Sequence, residues 1–126
     1  MSERTNQAEV AAVTDGARAY FEGSIAADEK LLRDVFHPRA CIVGNYRGEL
    51  EWLTLEEYIA ECRDEKDESA PSEFRIVGLS IEGDTALVRV RDLYKGDWYS
   101  DDLSMLRLDG TWRIVHKTWY VHPSMP

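Results

Sequence analysis

The stretch that decides the fold reads WYSDDLSMLRL over Trp98–Leu108, DGT over Asp109–Thr111 and WRIVHKTWYV over Trp112–Val121. Polar and apolar side chains alternate along both arms with a period of two, the period of a β-strand. The Asp109-Gly110 step between them is a tight-turn signal, so the arms pair as an antiparallel hairpin. Each arm is about ten residues long, and long strands twist and coil. Two registers are open. In the preferred one, Leu108-Asp109-Gly110 forms a type I turn with Gly110 left-handed and a G1 bulge. Leu106 then opposes Trp112, Ser104 opposes Ile114, Asp102 opposes His116 and Ser100 opposes Thr118. In the other, Asp109-Gly110 is a two-residue type I′ turn and Asp102 opposes Lys117. The bulged form is preferred because it gathers Leu106, Trp112 and Ile114 on one apolar surface. A slip of one residue exchanges the faces.

Working upstream, Phe74–Ile81 and Thr85–Leu93 carry the same alternation. The connections Glu82-Gly83-Asp84 and Lys95-Gly96-Asp97 are short, which forces antiparallel neighbours and a four-stranded meander. Ala40–Val43 and Glu49–Leu53 read as two shorter strands around Gly44–Gly48. Three helices precede the meander. The first runs from Asn6 to Glu22, with Val10, Val13, Ala17, Tyr20 and Phe21 on one face, and Gly23-Ser24 ends it. The second starts at the N-cap Asp28, buries Leu31, Leu32, Val35 and Phe36, and is stopped by Pro38. The third opens with the capping box Thr54-Leu55-Glu56-Glu57 and buries Leu55, Tyr58, Ile59 and Cys62. A curved antiparallel sheet has a concave face, and these helices are available to cover it. The expected fold is α+β, a cone built as one domain over residues 1–126, with residues 1–6 disordered.

Composition narrows the function. The chain has 126 residues, and 15 Lys plus Arg against 24 Asp plus Glu give a formal net charge of −9. Such a domain repels phosphate backbones, so nucleic acid is not expected as a partner. No apolar run approaches the ~18 residues of a membrane-spanning helix, and the first residues lack the apolar core of a secretion signal. Cys41 and Cys62 fit two reduced thiols, and a cytoplasmic location is expected. His37, His116 and His122 show no ligand spacing, so no metal is expected. No phosphate loop, dinucleotide fingerprint or Ser/Cys nucleophile motif occurs, and no cofactor is expected.

The preferred register puts Asp102, Ser104, His116 and Thr118 on one mixed face turned into the cone. A carboxylate beside an imidazole fixes its tautomer and supports a general base near neutral pH, so Asp102 and His116 are the candidate catalytic pair. Their structural alternative is a cross-strand polar pair on a half-buried face. Tyr20, Trp52, Trp98, Ser104, Thr118 and Tyr120 are candidate ligand-binding residues. Tyr20 either donates its hydroxyl to a ligand carbonyl or bonds backbone, and the aromatics either stack on a flat ligand or serve as core. The opposite face, with Tyr99, Asp101, Leu103, Met105, Val115, Lys117 and Trp119, is too apolar to leave in water. It is expected to form the outer sheet face of a homodimer.

Ala19-Tyr20-Phe21-Glu22-Gly23, Val35-Phe36-His37-Pro38-Arg39-Ala40, Tyr99-Ser100-Asp101-Asp102-Leu103-Ser104 and Asp109-Gly110-Thr111-Trp112-Arg113-Ile114-Val115-His116-Lys117 resemble the nuclear transport factor 2-like (cystatin-like cone) superfamily. The resemblance covers about Glu9 to His122 and is nearest to bacterial lumazine-binding-like and polyketide-cyclase-like branches. It implies the cone fold, but this superfamily holds isomerases, dehydratases, hydrolases, cyclases and non-catalytic modules. In its ketosteroid isomerase pattern, Tyr20 and Asp28 match the spacing of the oxyanion-donating Tyr and the Asp that opens the second helix. The general-base Asp would fall near Gly44 and the protonated Asp near Ser104, and neither position holds a carboxylate. The expected function is binding of a small, flat or apolar molecule between sheet and helices. The alternative is a cofactor-free isomerase, dehydratase, cyclase or hydrolase acting on a small apolar carbonyl compound. A protein-interaction module with a filled cone is a third class.

Overall fold

The computed structural model describes residues 3–124. Helix α1 spans Glu3–Ala26, α2 Glu29–Val35 and α3 Leu55–Asp64; the strands are β1 Phe36–Tyr46, β2 Glu49–Thr54, β3 Glu73–Glu82, β4 Thr85–Tyr94, β5 Asp97–Leu108 and β6 Thr111–Val121. They form one six-stranded sheet in the order β2-β1-β6-β5-β4-β3. The β3–β6 meander is antiparallel, and β1 joins it by lying parallel to β6. Helix α1 packs on β3, β4 and β6, and α3 on β1 and β2, so the helices cover one face of the sheet. This is the α+β cone. No helix among the described residues is long and apolar enough to cross a membrane.

Local chemistry accounts for the element ends. Asp28 caps α2 through a 3.1 Å bond from Leu31 N–H, and the Thr54–Glu57 capping box starts α3. Helix α1 continues past Gly23-Ser24, where the sequence suggests a stop. Ser24 Oγ donates to the Tyr20 carbonyl one turn back, at 2.8 Å. Gly23 is there for packing, because a Cβ on it would lie 3.0 Å from Leu32 Cδ2 of α2. The helix ends instead at Ala27, which has φ 51°. Strand β1 begins at Phe36 and runs through Pro38, which sits in an irregularity between Phe36 and Cys41 and so forfeits no ladder bond. The expected disorder over residues 1–6 concerns, for Met1 and Ser2, a part outside the described residues; α1 itself starts at Glu3.

The hairpin corrects the sequence reading in a way that moves the site. Asp109 and Gly110 have φ 52° and 77°, and Leu108 pairs with Thr111, so the turn is the two-residue form. Arg107 then pairs with Trp112 and Met105 with Ile114, but Ser104 pairs with His116. Val115 is therefore a bulge, and it exchanges the faces of β6 part-way along. Before it, Trp112 and Ile114 point inward; after it, Lys117 and Val121 do. Asp102 opposes Thr118, neither His116 nor Lys117. The odd-numbered face of β5, expected outside, faces the helices: Asp101, Leu103 and Met105 are buried. Near this hairpin turn the cone is filled by Val13, Ala17, Val88, Leu103, Met105, Trp112 and Ile114. The other end is hollow.

Candidate functional site

The hollow end is a cavity of about 750 Å³. Helix α1 supplies Tyr20, Phe21 and Ser24, which lie one turn apart on its inner face. Helix α3 supplies Tyr58 and Cys62 from its apolar stripe, Glu61 beside it and Glu65 just beyond its end. The sheet supplies Tyr46, Asp92, Tyr94, Tyr99, Asp101, Lys117 and Trp119 from its inner face. Tyr46, Tyr99 and Trp119 are in edge or tilted contact, with ring centroids 6.5 Å (Tyr46–Trp119) and 5.7 Å (Tyr99–Trp119) apart, and Tyr94 extends the row at 6.4 Å from Tyr99.

Buried polar groups cross the floor of the cavity. Tyr20 Oη donates to Asp101 Oδ2 at 2.7 Å. Ser24 spends its one proton on the Tyr20 carbonyl, so at the 2.7 Å Ser24–Tyr58 contact Tyr58 is the donor. Burial, with Asp101 beside it, holds the Tyr20 hydroxyl well above its usual range, and burial does the same for Tyr58. Both tyrosines therefore keep protons that are already committed inside the protein. The Lys117 ammonium lies 4.8 Å from the centroids of both the Tyr20 and Tyr58 rings, and its Nζ is 3.5 Å from Tyr58 Oη. Among the described residues it has no ion-pair partner, so at least two of its protons remain free to donate.

Asp92 and Asp101 are 2% and 1% exposed. Asp92 Oδ2 and Asp101 Oδ1 are fully enclosed and have no partner. Burial first, then the adjacent Asp101, pushes the Asp92 carboxyl well above the ordinary carboxylate range, so Asp92 is the member of the pair that holds a proton, and it shares that proton with Asp101. The floor thus presents one free donor, Lys117 Nζ, beside the proton-sharing Asp92–Asp101 pair. At the mouth, burial and the neighbouring Glu51 and Glu65 push the Glu61 carboxyl up to about 7.

Of the residues singled out from sequence, Tyr20 alone reaches this cavity, and its hydroxyl is held by Asp101. Asp102, Ser104, His116 and Thr118 are on the outer face. Asp102 accepts two bonds from Arg89, at 2.6 and 2.8 Å, and the guanidinium holds its carboxyl below the usual range. The Asp102–His116 pair is therefore not assembled. Trp52 and Tyr120 are 64% and 56% exposed on the outer face. Trp98 lies in a shallow depression with Glu73, Phe74 and Arg75, the guanidinium 5.7 Å from its ring. The sequence pattern places Asp101 and Lys117 on an outer dimer face and Tyr58 in the buried stripe of the third helix, and it assigns no role to Asp92; the structure turns all four into the cavity. One signal was available: Ala86, Val88 and Val90 alternate inward along β4, and the next inward position is Asp92.

Neither position to which the isomerase pattern assigns a carboxylate carries one. Asp101, not position 104, meets Tyr20. Position 44 cannot hold any side chain, because a Cβ on Gly44 would lie 2.1 Å from Trp119 Cε2. Gly44→Ala is therefore expected to push the indole off the cavity wall, costing about 1–3 kcal/mol of stability. Urea unfolding, with a change in tryptophan emission, reads this out.

A family profile described as "Putative lumazine-binding" matches residues 8–120. The chain belongs to the nuclear transport factor 2-like superfamily, in this lumazine-binding branch. An NTF2-like protein of unknown function from Silicibacter pomeroyi is 30% identical and superposes with a TM-score of 0.89, covering 97% of this chain and 100% of the other. An NTF2-like protein from Shewanella baltica, 23% identical over 98% and 99% of the two chains, gives a TM-score of 0.86 and shows the fold alone. Among curated proteins, aldolase FrzH of Cladobotryum sp. is 25% identical over 98% of this NTF2-like chain and 99% of its own length.

Proposed function

We propose that the cone holds a small molecule whose acceptor oxygen is held by Lys117 Nζ beside the Asp92–Asp101 pair, with its flat or apolar body against Tyr94, Tyr99 and Trp119. The observation that carries this reading is a cavity of about 750 Å³ lined by these aromatic rings together with Lys117, Asp92 and Asp101. A largely apolar hollow with a few convergent polar groups is a place for a ligand. A cavity of about 750 Å³ argues against a filled interaction module. Thermal-shift measurements with lumazine, indole and 2-tetralone test it. At least one is expected to raise the melting temperature of the wild type, and Lys117→Met to abolish that rise. Asp102→Asn, on the outer face, is expected to leave the ligand-induced rise unchanged. No rise with any probe contradicts the reading.

A second reading is favoured by FrzH and by the shared proton: a cofactor-free enzyme acting on a carbonyl compound. Asp101 would take a proton from the carbon next to the carbonyl, while Lys117 and Asp92 stabilise the enolate oxygen. Tyr20 holds Asp101 in place.

The homodimer belongs to the same proposal, with different residues from those expected. Trp52 and Val43 pair across β2 and β1 on the outer face, next to Leu50 and Tyr120, and form the exposed apolar surface there. Sedimentation should give a particle of twice 14.5 kDa at micromolar concentration, and a 14.5 kDa particle would contradict it. Cys41 on the outer face and Cys62 on the buried side of α3 are both free thiols, which suits a reducing, cytoplasmic setting.

A further inference from the structure

Several acids of this protein are matched by a guanidinium: Glu29 and Glu56 by Arg33, Asp97 at the cavity by Arg47, Asp102 by Arg89, and Asp84 by Arg107. Three others at the cavity mouth are not. Glu51 on β2 and Glu61 and Glu65 at α3 line the opening, and among the described residues none of them has an ion-pair partner. Glu61 and Glu65 stand four apart, where like charges on a helix destabilise each other. Glu51 faces them from the neighbouring strand, opposite Gly44 and so next to the Trp119 indole. Two further acids, Asp92 and Asp101, are 2% and 1% exposed deeper in the same cavity and end in oxygens without partners. Lys117 and Lys95 are the only cations on the lining described.

Aromatic faces complete the arrangement. Tyr46, Trp119, Tyr99 and Tyr94 form a continuous row along one wall below these carboxylates. Arg47 and Lys95 already lie over the Tyr46 and Tyr94 rings, 5.2 and 5.4 Å from their centroids, which leaves the Trp119 and Tyr99 rings beside the unpaired carboxylates as a poor place for an anion and a good place for an ammonium.

We propose that the ligand carries a positively charged amine, held near the mouth by Glu51, Glu61 and Glu65 against the Trp119 and Tyr99 rings. This rests on the cavity being a ligand site, with the acceptor end of the same molecule at Lys117. The ligand class is therefore an amine-bearing carbonyl compound, cationic at one end and an acceptor at the other. Clustered carboxylates that repel each other in the empty cone are relieved when the ammonium enters.

Three ketones of one ring size separate the possibilities: 1-methyl-4-piperidone, cationic at neutral pH; 4-methylcyclohexanone, neutral; and 4-oxocyclohexane carboxylate, anionic. Calorimetric titration of the full chain is expected to rank them cation, neutral, anion, with the first step on the order of tenfold, the worth of one partly desolvated cation–aromatic contact. The preference should shrink as salt is raised. Glu51→Gln/Glu61→Gln should bring the three affinities together, and circular dichroism verifies that this variant is folded. Equal binding of cation and neutral ketone, or tighter binding of the anion, overturns the amine proposal while leaving the cone as a ligand site. Failure of all three to bind overturns both.

Discussion

Asp101→Asn should slow deuterium exchange at the α-carbons of 2-tetralone by about 10²–10⁴-fold relative to the wild type, the usual worth of a positioned general base. Two adjacent buried carboxyls cannot both be ionised. Burial and Asp101 force the proton onto Asp92, which leaves Asp101 as the acceptor of the pair. Its Oδ2 is fixed by the Tyr20 hydroxyl at 2.7 Å, and Oδ1 has no partner. An oxygen so held needs no reorganisation before it takes a proton. Asparagine keeps the shape and can still accept from Tyr20, so the fold is expected to survive. Lys117→Met should lower the rate as well, because the enolate loses the one buried cation near the floor. Mass spectrometry of the ketone recovered from heavy water measures all three rates. A wild type that binds the ketone but leaves its α-hydrogens in place contradicts the enzyme reading and leaves the binding reading intact.

The second large effect concerns pH. In the folded protein Asp92 keeps its proton well above the ~3.9 at which an unfolded aspartate loses it. Above that point the folded state binds more protons than the unfolded state, so this group makes stability fall as pH rises, by up to about 1.4 kcal/mol per pH unit until Asp92 itself ionises. Glu61, pushed up to about 7, adds a loss of the same sign up to that pH, weakened by its partial exposure. Asp92→Asn cannot ionise. It is expected to be more stable than the wild type at neutral pH and to show a flatter profile. The difference should close as pH falls towards 4. Urea unfolding of both proteins from about pH 4.5 to about pH 8 measures it. Parallel profiles would mean that Asp92 is not a buried acid. The gain at neutral pH would also mark the site as one kept at a cost in stability, since asparagine removes the need to take up a proton on folding.

Much of the architecture could be read from the chain. The alternation in β3 to β6 and the capping box at Thr54 are local signals, and the helices and meander follow from them. The inner lining was harder. A two-residue alternation predicts faces only while parity holds, and the bulge at Val115 breaks it half-way along β6. With one parity assumed throughout, Trp112 and Ile114 drew the even-numbered residues inward and took Asp102, Ser104 and His116 with them. In the structure Trp112 and Ile114 do point inward, but beyond the bulge the inward residue is Lys117. Asp101 and Lys117 belong to an otherwise apolar set that an unbroken parity places outside, where a homodimer contact would cover it. A buried carboxylate and ammonium on that set fit a cavity better than a subunit contact. Asp92 was legible from β4 alone. The pairing of Tyr20 with Asp101 spans 81 residues, and no local pattern announces it.

A crystal structure of the protein soaked with 1-methyl-4-piperidone is the sharpest test of a hollow cone whose floor recognises an oxygen through Lys117. The ketone is expected inside the cone, with its oxygen within hydrogen-bonding distance of Lys117 Nζ and its nitrogen towards Glu51 and Glu61. A cone closed by its own side chains, or the ketone lodged on the outer face beside Asp102 and His116, would contradict it.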